Sequence, residues 1–584
     1  MYWATGFANE LSLENCSSNK DANDHLEDST TLADTTVFPQ PLDIVAVQPT
    51  SQAAFFVSCT QSSIQLWSVK PRVVLSHVER SSAHVRDFGK NVSLIWKPDA
   101  TAFVAITDKQ YLLLYVILPF ENASLQLNST QSTHGYTHGP GEAKGPKTMI
   151  IKFRLAIRID AGISCGTSSE DSLIITTMKP TAVQRVSWNP QEVSQTGTNM
   201  VSKMAWIRPD TSIVYMTYNK AMNISAAKTG NTLNEGKAGD EKKETSSHEH
   251  EDIIPIMPSF SVQSSWSGLC FHNTGDESLQ EQHATSISIN ARFSLIAIGT
   301  KSGNVFVYSA QSYNSTPTFS HKMDLSSPRQ WSPTITSPKS ESYGEVKTVS
   351  WTSDGYALAV GYEGRGLAVW SVYGHLLCST ENSEDTSVSV SNIKDRDTPF
   401  QDIFAHNVNF LFWGAGNTTL FILSKSSLVD ASPDPSTKQY SKLYSLPFAK
   451  SAVVLMHSPD NAKNGLLQMD DRLLLYNGGD HQESSTTIDP DSVSWSHISL
   501  PTMYISEHWP IRYASIDPDG KWIAIAGKRG LAHYSTLSGR WKMFGNQQQE
   551  QEFHVRGGIA WFKHVLIAAC EVPNGHHSRY HVVS

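Results

Sequence analysis

The 584-residue chain lacks any long apolar run: its longest, YLLLYVILPF from Tyr111 to Phe120, is about half of the ~20 residues a membrane-spanning helix needs. Its start, MYWATGFANELSL, has no cationic segment ahead of an apolar one, so it does not read as a secretory signal. Charge is sparse, at 17 % of residues, and the formal net charge is −9. That balance argues against nucleic acid as the main ligand, because phosphate neutralisation needs a basic face. Six cysteines (Cys16, Cys59, Cys165, Cys270, Cys378, Cys570) lie far apart, with no CxxC and no Cys/His ligand spacing. They read as buried, reduced thiols. The sequons at Asn122, Asn128 and Asn417 follow from a composition rich in Asn, Ser and Thr.

What is present is polar but uncharged, with 15 tryptophans and 35 glycines between short apolar runs. That mixture suits an all-β chain with many turns, and the length suits more than one domain. A unit recurs: an apolar strand that often carries Trp, a polar turn, an alternating strand, a Gly-containing turn and a second alternating strand. Copies are IVAVQPTSQAAFFVSCTQSSIQLWSV from Ile44, LIWKPDATAFVAITDKQYLLLYVI from Leu94, MAWIRPDTSIVYMTYNKAMNIS from Met204, ISINARFSLIAIGTKSGNVFVYSA from Ile287, VSWTSDGYALAVGYEGRGLAVWSVYG from Val349 and FLFWGAGNTTLFILS from Phe410. A degenerate copy holds SLIITTM from Ser172 and VQRVSW from Val183.

Period-two alternation gives each strand two side-chain rows, and one meander cannot bury both. Blades must therefore stack around a ring, and the spacing of about 40 to 60 residues is that of a β-propeller with insertions. The WD signature is weak, since Ser follows Trp67 and Trp370. Seven units end near Lys450, so the expected fold is all-β: a WD-repeat-like seven-bladed propeller over 1–450, with the MYW start closing the last blade. An incomplete second propeller is expected over 451–584, formed by Val453–Gly479, Ile516–Trp541 and the unit from Gly557. Disordered insertions are expected near 120–147, 226–252, 311–343 and 378–397, where composition is polar and low in apolar residues.

Motif tests leave no catalytic, cofactor-binding or metal residue to name. Asp517-Pro-Asp519-Gly520 resembles the start of a calcium loop, but Lys521 and Trp522 stand where the next ligand and glycine belong. Gly527-Lys-Arg-Gly530 lacks the P-loop spacing and runs into a strand. GPGEAKGPKT, from Gly139, is broken by Pro140 and Pro146. The histidines at 134, 138, 248, 250, 576, 577 and 581 lie in polar segments without fixed Cys or carboxylate partners. No nucleophile elbow precedes a helix.

The block WPIRYASIDPDGKWIAIAGKRGLAHYSTLSGRWKMFGNQQQEQEFHVRGGIAWF, Trp509 to Phe562, closely resembles the Ric-one family, as do the MYW start, IWKPD at Ile95 and GYEGRGLAVWSVYG at Gly361. The resemblance implies a non-enzymatic subunit, without cofactors, of a guanine-nucleotide exchange factor in endosome-to-Golgi retrograde transport. The implied partners are an Rgp-one-like subunit and a Rab-six (Ypt-six) GTPase. The implied location is the cytoplasm and, through partners, the Golgi membrane periphery. Family members carry two N-terminal propellers and then a long helical region, which this chain does not reach. The resemblance fixes no partner-binding residue. Propeller adaptors of another class, in vesicle coats or ubiquitin ligases, share the fold and remain the alternative.

Overall fold

The computed structural model describes residues 2–11, 43–124, 147–188, 198–200, 211–219, 222, 224–231, 252–258, 266–268, 271–273, 283–310, 316–325, 344–364, 366–380, 407–426, 440–452, 465–476, 495–544, 550–551, 553–563, 565–571 and 579–583. Short antiparallel sheets succeed one another along the chain. Blade 1 shows why. Its strands Phe55–Cys59 and Ser63–Ser68 are buried almost throughout, since neighbouring sheets cover both faces, whereas the outer strand Val73–Glu79 alternates. The polar turn residues between them reverse the chain.

Blades 2 to 6 occupy 91–158, 163–200, 211–273, 284–323 and 346–379. Blade 7 comprises Val408–Trp413, Thr419–Ser426 and the first part of Tyr440–Ser451. Its fourth strand comes from the other end of the chain, as Asn9–Glu10 pairs with Ser445 and Tyr444. Apolar cores join consecutive sheets. Ile106 and Leu112 meet Ile163 and Ile175, Val307 meets Trp351, and Leu367 meets Leu411. Ser164 Oγ links blade 3 to blade 4 by donating to the Ile213 carbonyl at 2.7 Å. The ring closes where Phe412 and Phe421 of blade 7 pack on Val47, Phe56 and Trp67 of blade 1.

The recurring tryptophans have two distinct tasks. At the end of an inner strand, the indole donates to a carbonyl of the preceding blade: Trp96 to Gln48 (2.8 Å), Trp351 to Ser288 (3.3 Å) and Trp413 to Ser350 (3.2 Å). On the third strand of blade 1, Trp67 instead donates to Ser58 Oγ at 2.9 Å, and Ser58 donates to Gln65 Oε1 at 3.0 Å.

The strand Tyr440–Ser451 runs unbroken through the expected boundary at Lys450. Its first part is the third strand of blade 7, while Lys450 and Ser451 pair with Gln468 and Leu467 of the next sheet. An eighth sheet thus continues from this shared strand through Leu466–Gln468, Arg472–Tyr476 and Trp495–Ser499. The Val453–His457 stretch expected to open that unit lies outside the described residues. A ninth sheet spans 513–543 and a tenth spans 554–583. The eighth and ninth share a core with Leu473, Ile511 and Ile523, and the ninth and tenth another with Ala524, Val555 and Leu566. Trp561 donates to the Ser515 carbonyl at 3.3 Å, repeating the inter-blade bond of the first ring.

Parts of the stretches expected as insertion are strand: 120–124 at the end of Tyr111–Ser124, 226–231 within Ile224–Asn231, all of Thr318–Met323, and the last two residues of Leu376–Ser379. Thr318–Met323 pairs along Val305–Ser309, because an outer strand needs only backbone bonds and one covered face, which polar residues satisfy. The remainder of 120–147, 226–252, 311–343 and 378–397 lies largely outside the described residues.

Tyr2, 1 % exposed, is wedged between blades 6 and 7. Its ring centre is 5.5 Å from that of Trp413, and its hydroxyl donates to Asp354. Burial above all, with the Asp354 charge behind it, holds the phenol well above its ordinary pKa. The adjoining backbone pairs Tyr2 with Lys450, whose side chain is buried and whose pKa burial pulls down against the attraction of Asp354. Tyr2→Ala is expected to destabilise the ring by about 3–5 kcal/mol, and Tyr2→Phe, which keeps the ring, by about 1 kcal/mol. Thermal unfolding of the two variants checks the order; equal losses would count against the wedge.

Candidate functional site

Among the described residues no cleft gathers reactive groups. Among the described residues, no three His, Cys, Asp or Glu side chains are grouped for a metal ion. What the structure builds instead is a seam between the closed ring and the sheets that follow it.

At the seam, Lys70 of blade 1 reaches Asp470 of the eighth sheet. Its ammonium lies 2.9 Å from Oδ2 and donates to the Asp470 carbonyl at 2.8 Å. Trp509 Nε1 donates to Asp470 Oδ1 at 3.0 Å, and Thr418 Oγ1 lies 3.4 Å from the same oxygen. The Trp509 ring faces the Lys70 ammonium at 5.9 Å. A carboxylate with several donors, partly shielded from water, binds more strongly than an exposed pair. Gly416, at φ +82°, brings blade 7 against Pro510, leaving 3.1 Å for any Cβ placed there. On the same side Arg72 donates to Ser445 Oγ at 3.2 Å.

The conspicuous sequence blocks sit around this seam. The helix α1 (Ser82–Phe88) belongs to the first ring, and α2 (Thr502–His508) leads into Trp509. Gly527 lies so close to α2 that a Cβ would sit 2.2 Å from the His508 carbonyl, and its N–H donates to Tyr504 Oη at 3.0 Å. Gly530, at φ +71°, lies against Glu550. His508 Nε2 is 3.3 Å from Glu550 Oε1, and burial shifts the two in opposite directions, His508 down and Glu550 up. The pair is therefore held toward its neutral forms. The Gly527–Gly530 stretch is thus a packing surface for α2.

Asp517-Pro-Asp-Gly520 is the hairpin turn read from its sequence. Asp517 is buried and its Oδ1 accepts from the Trp522 N–H at 2.8 Å, while Gly520 takes φ +71°. The histidines at 134, 138, 248, 250, 576 and 577 lie outside the described residues, and His581 falls on the strand Arg579–Val583. Cys59, Cys165, Cys378 and Cys570 are free, and Cys16 and Cys270 lie outside the described residues. Burial pushes the Cys59 thiol up to about 12 and Cys570 to about 11. A shallow apolar groove between blades 2 and 3, lined by Val104, Leu112, Leu155 and Trp188, offers no convergent polar group. Sequence reading singled out the Trp509 block but missed Lys70 and Asp470. Neither carries a local signal, as each acquires its role only from a partner about 400 residues distant.

Stacked sheets joined edge to edge, a ring closed by the N-terminal strand and a repeated Trp-to-carbonyl bond define a β-propeller protein of the WD-repeat type. A family model described as "RIC1 second beta propeller domain" matches residues 469–583. The Homo sapiens protein named guanine nucleotide exchange factor subunit RIC1 is 25 % identical over 576 residues, covering 90 % of this chain and 37 % of that protein. The Schizosaccharomyces pombe subunit ric1 is also 25 % identical, over 89 % of this chain and 51 % of its own length. The chain is similar to Ric1 subunits along most of its length, and spans about half or less of the length of these relatives. The solved β-propeller domain of Myceliophteria thermophila Cps50 (Swd1) is similar at 9 % identity and a TM-score of 0.39, over 69 % of this chain and 96 % of that one.

Asp470→Ala is expected to cost about 1–3 kcal/mol by stranding Lys70 and the Trp509 indole. Lys70→Met, which leaves Asp470 its other donors, should cost less. Thermal unfolding with limited proteolysis between 440 and 512 reads both, and a variant as stable and protease-resistant as the parent would remove the seam's role. A second expectation concerns the thiols: iodoacetamide at about pH 8 should leave Cys59 and Cys570 of the native chain unalkylated, and label them after denaturation. Rapid native labelling of Cys59, read by peptide mass spectrometry, would contradict its burial.

Proposed function

We propose that the chain is the propeller scaffold of a guanine-nucleotide exchange complex acting on a Rab-six-type Golgi GTPase, itself non-catalytic and paired with an Rgp-one-like subunit. The observation that carries this reading is that similarity to exchange-factor subunits runs through both sets of sheets, over 90 % of the chain. A generic propeller likeness would stop at one ring. The seam adds a physical reason, since two propellers fixed by a shared strand and the Asp470 cluster can hold a partner and a GTPase at one spacing. An exchange factor forms no covalent bond; it favours the nucleotide-free GTPase by binding it more tightly than the GDP form. Rigid broad surfaces serve that task. No described helix is long and apolar enough to cross a membrane. A peripheral Golgi location reached through partners is part of the proposal.

The test is co-expression of the chain with the Rgp-one-like subunit, followed by size-exclusion chromatography and a fluorescent-GDP release assay on the full complex. Co-elution and faster release from the Rab-six GTPase, with an unrelated Rab unaffected, are expected. A chain that elutes alone, and a complex that leaves GDP release unchanged, would overturn the proposal.

A further inference from the structure

In a chain of net charge −9, one surface gathers positive charge. Three segments meet at a single end of the ninth and tenth sheets. Arg512 stands just before the inner strand Tyr513–Ile516, its N–H donating to the Ala526 carbonyl at 2.8 Å. Exposed Lys528 and Arg529 follow in the loop after Trp522–Ala526. The Gly530 N–H donates to the Phe553 carbonyl at 2.7 Å and ties that loop to His554 and Arg556, at the start of the next inner strand. Tyr513 Oη donates to the Arg556 carbonyl at 2.5 Å and completes the cluster.

The positive groups are close enough to oppose one another. After burial, Arg529, Arg556 and Arg512 all push the His554 pKa down, and Arg556 does the same to Arg512. Glu571 offsets part of this through a 2.9 Å pair with Arg556, both being about half exposed. Glu507, exposed on α2, and Glu550, packed on His508, are the other acids of the neighbourhood. Among the described residues no ion pair engages Arg512, Lys528 or Arg529. Such concentrated like charge costs stability unless a ligand of opposite sign meets it.

We propose that this end of the ninth and tenth sheets is a docking surface for an acidic peptide segment of a partner protein, with Arg512, Arg529 and Arg556 receiving its carboxylates. Guanidinium outnumbers ammonium here, and its planar fork matches a carboxylate in a bidentate pair; Arg556 Nε already donates to Glu571 Oε2 at 2.9 Å. A peptide also fits better than an anionic membrane. A leaflet presents its charge over a plane far wider than the ~8–10 Å screening length, and so meets the acidic remainder of the chain; a peptide senses the patch alone. The inference stands apart from the exchange reading, because it needs neither GTPase nor nucleotide.

The experiment uses the 584-residue chain and a fluorescein-labelled hexaglutamate peptide, followed by fluorescence anisotropy. Saturable binding that weakens with added salt is expected. The double substitution Lys528→Glu with Arg529→Glu, at exposed positions, should weaken it by at least ~10-fold without lowering the thermal midpoint. Absence of hexaglutamate binding, or equal affinity in the double variant, overturns the proposal. So does sedimentation of the chain with phosphatidylserine vesicles, lost in the double variant, when hexaglutamate does not compete.

Discussion

The shared strand Tyr440–Ser451 is the constraint on which the architecture depends. Along its length it pairs with Thr419–Ser426, with the two N-terminal strands and with Leu466–Gln468. A backbone so occupied cannot slip, because a shift of one residue would turn each buried side chain to the opposite face. Phe448 and Leu443, 1 % exposed each, face the cores on either side of blade 7 and fix the register. One strand thus belongs both to the ring and to the sheet that follows it, and the Lys70–Asp470–Trp509 cluster ties the two together a second time.

Polar groups are placed at the edges of this frame, where they set geometry that apolar packing leaves loose. The indole-to-carbonyl bonds position one inner strand against the next. The Asp354 carboxylate receives Tyr2, and Asp470 gathers donors from both sides of the seam. The exchange reading draws on the same property, since a factor that opens another protein's nucleotide pocket needs surfaces that hold their shape under load.

Much of the fold was legible in the sequence because a blade is a local object. Asp519-Gly520 and Asp354-Gly355 mark hairpins by turn chemistry alone, and alternation in Ala357–Tyr362 and its neighbours marks the strands. The Trp509 block was legible as a family signature, but its task was not, since Lys70 and Asp470 are ordinary polar residues until the rings meet. Thr318–Met323 escaped notice because an outer strand held by backbone bonds needs no apolar pattern. The boundary near Lys450 was placed by counting repeats, and counting cannot show that one strand serves two sheets. The charged end of the ninth and tenth sheets was equally hidden, its residues being spread over 45 positions from Arg512 to Arg556.

The tryptophan bonds that cross between sheets point one way: Trp96 to Gln48, Trp351 to Ser288, Trp413 to Ser350 and Trp561 to Ser515, each from a later sheet to an earlier one. The ring therefore has a head and a tail. As the chain leaves the ribosome, each new indole finds its acceptor already made, and the sheets can be added in order of synthesis. Closure alone breaks that order, because Asn9 must wait for Ser445. Until then the nascent ring is an open stack whose first and last faces stay wet, and residues 2–10 find their place only once the strand more than 400 positions later has been made.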